Sequence, residues 1–114
     1  MGIMQVLSEN TSIGFGALPE GGSVCQFVAL RLTAAARGDL AAYFDLGVAY
    51  STASHGAVCD LIEAHRWFNL AAVAGHEEAQ MCRAEVAGEM SAREIAEAQR
   101  RARAWLAEIR RMAA

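Results

Sequence analysis

Two five-residue segments of this chain match: Ala34-Ala35-Ala36-Arg37-Gly38 and Ala71-Ala72-Val73-Ala74-Gly75 both read Ala-Ala-x-x-Gly, with their glycines 37 positions apart (75 minus 38). The same offset carries Ala42 onto Ala79. A period of this length is that of a helical hairpin, a unit that cannot bury its apolar face alone and stacks on its neighbours. Paired alanines let two helices approach closely. The glycine lets the chain leave a helix in the left-handed conformation that a Cβ disfavours.

Composition agrees with helix. There is one proline in 114 residues, and proline is the main helix breaker. A content of 54% hydrophobic and 20% charged residues separates the chain from disordered sequences, and the length suits one domain. The expected class is all-α, an α/α helical-hairpin repeat of about five helices with a C-terminal capping helix. Residues 24–114 form the single repeat domain, and residues 1–23, with five glycines and Pro19, are expected to be loosely ordered.

The helices follow from three- and four-residue spacing and from their ends. Helix one is expected from Val24 to Arg37, with Gly38 as its stop. Asp39 caps a second helix that runs to about Tyr50 with Ala42, Leu46, Ala49 and Tyr50 inward, and residues 51–59 form a short polar connection. Asp60 and Glu63 make a capping-box-like pair before a third helix that buries Ala64, Trp67, Phe68, Ala71 and Ala72. A fourth helix turns Ala79, Cys82, Val86 and Met90 inward and Glu77, Glu78 and Glu85 outward. Ser91 and Glu94 then open a fifth, which buries Ile95, Ala98, Ala102, Trp105, Ile109 and Met112 and leaves Arg100, Arg101, Arg103, Arg110 and Arg111 outside.

At one spacing the residues resemble a known family. Ala42, Leu46, Gly47, Tyr50, Gly56, Asp60, Ala64, Trp67, Ala71, Ala72 and Gly75 follow the pattern of a Sel-one-like repeat (SLR), a branch of the tetratricopeptide (TPR)-like helical repeats. The resemblance covers one full repeat, residues 38–75, with partial repeats on either side. Ala53, Ala57, Val58 and Arg83 depart from the pattern. The resemblance implies a protein-protein interaction module, an adaptor or scaffold without catalytic residues or cofactors, which holds a peptide or partner protein in a concave groove. The positions that such repeats present on the concave face are Ala41, Phe44, Val48 and Ser51, and, 37 residues on, Glu78, Met81, Glu85 and Gly88. The expected partner-binding surface is therefore Phe44, Val48, Ser51, Glu78, Met81 and Glu85, an apolar strip beside two acids. The alternative is that Phe44 or Met81 simply packs against a neighbouring helix. For the whole chain, the rival function is a self-associating homodimer that hides its unfinished ends.

Other functions have less behind them. A net charge of −3 argues against nucleic acid as a partner, and ten arginines without a lysine fit the coding bias of a GC-rich genome. No apolar run suits a membrane span or a signal-peptide core, so the expected location is cytoplasmic. Cys25, Cys59 and Cys82 lack CxxC spacing and are expected to be buried free thiols, while His55, His65 and His76 are too scattered for a metal site. No Cys-His nucleophile has a local signature.

Overall fold

The computed structural model describes residues 20–113, with side chains from residue 26 onward. Among the described residues five helices follow one another: α1 (Glu20–Ala36), α2 (Leu40–Thr52), α3 (Leu61–Val73), α4 (Glu77–Ala87) and α5 (Ala92–Ala113). No strand occurs among the described residues, so the class is all-α. The first helix begins at Glu20 rather than Val24; the rest of the segment expected to be loose, residues 1–19, lies outside the described residues.

The two Ala-Ala-x-x-Gly segments make matching turns. Gly38 and Gly75 have φ of +82° and +109°, and an added Cβ would meet no atom within 4 Å at either, so conformation rather than space calls for glycine. At the first turn Gly38 N donates to the Ala35 carbonyl and Asp39 N to that of Ala34 (2.8 and 3.2 Å). At the second, Gly75 N donates to Ala72 and His76 N to Ala71 (both 3.0 Å). These bonds satisfy carbonyls that a helix end leaves open. The next residue starts the following helix in each case. Asp39 Oδ1 accepts from the backbone of Ala41 and Ala42, whereas at α4 it is the imidazole Nδ1 of His76 that accepts from Ala79 (3.1 Å).

The other caps are a full box and half of one. Ser91 and Glu94 reciprocate, with Ser91 Oγ accepting from Glu94 N and the Glu94 carboxylate from Ser91 N. Asp60 accepts from Glu63 N, but the Asp60 amide donates to the Tyr50 carbonyl, which frees the Glu63 side chain for other partners. The connection from α2 to α3 is tighter than a polar link. Ala53, His55 and Gly56 are all left-handed, and His55 is buried with its ring stacked 3.9 Å from that of Phe27.

Helix α3 is the centre of the core and packs against α2, α4 and α5, while α1 packs against α2. Trp67, Leu46, Ala64 and Ala71 are fully buried there. Gly47 on α2 faces Phe68 on α3 so closely that a Cβ would come within 2.6 Å of the ring. Helix α5 settles on this core through buried Ala98 and Ala102. The edge of Trp105 meets Trp67 at 4.9 Å between centroids, and its indole N–H donates to the Tyr43 hydroxyl at 3.4 Å. Ile95 and Ile109 are half-buried, Met112 is exposed rather than inward, and Tyr50 is half-buried rather than fully enclosed.

Candidate functional site

The expected concave residues divide between core and solvent. Phe44 is 8% exposed. Its ring lies 5.7 Å from that of Phe68 and stacks at 4.4 Å on the imidazole of His76, so it joins α2 to α3 and to the start of α4. Val48 and Ser51 are half-buried, and the Ser51 hydroxyl donates back to the Val48 carbonyl. Glu78, Met81 and Glu85 are exposed on α4, Met81 to 70%; Ala41 on α2 and Gly88 just after α4 are exposed too. The apolar part of the strip is thus Met81 with part of Val48, without the ring of Phe44. Positions 78, 81 and 85 share one face of α4 by helical spacing, while Ala79 and Val86 are buried on the other side.

Burial shifts one thiol and two imidazoles. Burial, reinforced by the carboxylates of Glu78 and Glu85, pushes the Cys82 thiol up and keeps it protonated. Cys59 is exposed rather than buried, and the side chain of Cys25 lies outside the described residues. His55 and His65 are both held below the ordinary imidazole value, chiefly by burial; the Asp45 charge opposes the shift at His55, and the Arg83 charge adds to it at His65. Among the described residues, no group of three His, Cys, Asp or Glu side chains is placed to hold a metal ion.

A second surface was not apparent from the sequence. Between α3 and α5 lies an open hollow of about 430 Å³, lined by Glu63, Arg66, Arg100, Arg101, Trp105 and Glu108 among others. Arg101, expected outside, is half-buried: it donates to Glu63 at 2.7 Å and to Glu97 at 2.8 Å. Arg100 makes a two-pronged pair with Glu97 at 2.9 and 2.7 Å. These bonds, from Arg100 first and then Arg101, lower the Glu97 carboxyl to about 2. Glu63 also accepts the indole N–H of Trp67 at 3.1 Å. Arg66 lies over Trp67, 4.2 Å from the ring centroid, and 5.6 Å from that of Trp105. Adjacent Arg66-Trp67 and Arg100-Arg101 were the signal in the sequence, but the two pairs are more than thirty residues apart and only the packing of α5 on α3 brings them together.

An apolar hollow of about 460 Å³ lies between α1, the end of α2 and the following loop, lined by Val28, Leu32, Tyr50, Ala57 and Val58 among others. Among the described residues, no helix is long and apolar enough to cross a membrane. No protein-family model, curated protein or solved structure matches the chain.

Proposed function

We propose that this chain is a non-catalytic protein-interaction module of the Sel-one-like repeat kind, an adaptor or scaffold that holds a partner against α2 and α4. The matching turns at Gly38 and Gly75, and Gly47 pressed against Phe68, support the repeat reading. The observation that carries the function is the outer face of α4. There Met81 stands in water between Glu78 and Glu85 while the inner face of the same helix is already packed. A partner that suits this face has an apolar side chain for Met81 and basic groups for the two acids. The experiment is affinity capture from the native extract with the wild-type chain and with a Glu78→Arg, Glu85→Arg double variant. A partner held by the first and lost by the second supports the proposal. Equal capture by both moves the site away from α4.

Self-association is the second reading, and the apolar hollow beside α1 favours it, since Val58 at 79% exposed and Leu30 at 57% lie on the same loop and helix that line it. Light scattering separates the two: a stable dimer that Val58→Asp dissociates supports this reading, and a monomer at all concentrations removes it.

A further inference from the structure

Arg66 differs from the other arginines that line the α3–α5 hollow. Arg100 and Arg101 spend their donors on Glu97 and Glu63. The guanidinium of Arg66 makes no hydrogen bond among the described residues. Its Nε is buried with no hydrogen-bond partner, and among the described residues its one ionic contact is a 3.5 Å approach of that nitrogen to Glu63. The group is nevertheless fixed, because it lies against two indoles and its side chain is only 19% exposed. Nε is enclosed, but the two Nη groups also make no hydrogen bond among the described residues, and such a planar end recognises a carboxylate with two parallel bonds. Burial, the largest influence on Arg66, also lowers its affinity for its own proton, which is the sign of a charge without full compensation.

The charges around it set what can enter. Arg66, Arg100 and Arg101 face Glu63 and Glu97, three cations against two anions, and Glu108 at the rim is paired with Arg111. Glu63 is already engaged by Arg101 and by the Trp67 N–H, so its charge does not close the site. One positive charge remains, and it suits a singly charged carboxylate better than a doubly charged phosphate. Ala104 and Trp105 supply an apolar wall beside it.

We propose that the hollow between α3 and α5 binds an acidic peptide segment of a partner protein, with Arg66 pairing to one carboxylate and Trp105 giving a platform for an apolar neighbour. The inference rests on the proposed role in protein binding, but it concerns a different surface from α2 and α4.

The test uses the full chain and its own fluorescence. Trp67 and Trp105 are the two tryptophans of the sequence, one beneath Arg66 and one in the wall. The probe is the capped peptide acetyl-Ala-Glu-Leu-Glu-Ala-amide, with its Gln-for-Glu counterpart and inorganic phosphate at matched ionic strength as the other arms. The acidic peptide is expected to change the emission saturably and to bind less well as salt is raised, while the Gln peptide and phosphate do neither. Arg66→Met, which keeps an apolar cover over Trp67, should weaken binding by roughly tenfold or more, the loss expected for a charge-assisted hydrogen bond. Should that variant not fold, Arg66→Lys, which keeps the charge but not the fork, is expected to weaken binding by a smaller factor. The Glu78→Arg, Glu85→Arg variant should bind the peptide as the wild type does, so failure here and failure of the α4 surface are told apart. No saturable response to the acidic peptide, an equal response to phosphate, or unchanged binding by a folded Arg66 variant overturns the proposal.

Discussion

Helices α3 and α4 are neighbours of similar length, 13 and 11 residues, yet α3 buries seven side chains and α4 two. The difference follows from their surroundings. α3 meets helices on three sides, so even its charged residues Glu63 and Arg66 are drawn into contact with α5, whereas α4 packs chiefly on α3 and turns its acids to water. The starts of the two helices differ too. Asp60 offers a carboxylate to α3, and His76 caps α4 with an imidazole nitrogen that accepts only when it carries no proton. A helix enclosed on three sides holds the fold together and tolerates little change, while one packed on a single side has a face free for recognition.

The largest expected break in this contrast is Trp67→Ala. Trp67 is fully buried, stacked with Tyr43, edge-on to Trp105 and covered by Arg66, so its loss opens the contact of α3 with both α2 and α5. A cost of about 3–5 kcal/mol is expected for truncating a buried tryptophan, a large share of a small domain's stability. Urea denaturation measures it, and a loss under about 1 kcal/mol would place Trp67 outside the cooperative core.

Next in size is Gly47→Ala. Alanine normally favours a helix over glycine, but here the new Cβ would fall within 2.6 Å of the ring of Phe68, which is 2% exposed and packed against Phe44. Overpacking of about 1–3 kcal/mol should outweigh the gain in propensity. A variant at least as stable as the wild type would show that α2 and α3 can part without cost. Combining it with Phe68→Leu, which removes the ring, should recover part of the loss.

A smaller effect, visible only on acidification, comes from the buried imidazoles of α3 and of the loop before it. His65 on α3 and His55 in the preceding loop have folded values held below the ordinary 6.5, first by burial. Between those lowered values and 6.5 the unfolded chain binds more protons than the folded one. Their contribution is therefore fully present above about 6.5 and is lost as the pH falls below it. Asp45, whose carboxyl is raised first by burial and lowered in part by Arg31, acts in the opposite sense, since its folded form binds the proton more readily than the unfolded one. Denaturation midpoints at pH 7.5 and 5.5 should show lower stability at 5.5, and His65→Leu should flatten the difference. Equal midpoints for the wild type would mean that the imidazoles can charge in place.

These contrasts show what the sequence made legible. The two glycine stops and the caps at Asp39, Asp60 and Ser91 are local, since each depends on residues within one or two turns, and they are found where the spacing puts them. The residues that escaped are governed by partners far along the chain. Phe44, for which both a groove and a packed position were open from the sequence, lies inward where His76 and Phe68 offer it two rings. His55 turns from a polar link into the fold to meet Phe27, and Arg101 reaches Glu63 across 38 positions. A carboxylate at position 63 reads as half of a cap until the Asp60 amide is seen bonded to Tyr50. The α3–α5 hollow was hidden for the same reason, whereas the exposure of Glu78, Met81 and Glu85 needed only the face of one helix.

The smallest expected effect on stability is therefore the most informative about function. Reversing Glu78 and Glu85 to arginine alters two exposed side chains that make no ion pair among the described residues, so stability should stay within about 0.5 kcal/mol. One internal consequence is nevertheless expected. Both acids help to hold the Cys82 thiol up, so their reversal should bring its ionisation down and speed its reaction with a thiol reagent at slightly alkaline pH. Cys59 is exposed and Cys25 is a further thiol of the chain, so the measurement is cleanest in a Cys25→Ser, Cys59→Ser chain, where Cys82 is the one cysteine left. Unchanged stability with faster labelling places the two acids beside Cys82 and free of structural duty, as a recognition face requires. A loss well beyond 0.5 kcal/mol would instead mean that α4 uses its acids to hold the fold, and the contrast between an enclosed α3 and an open α4 would fail.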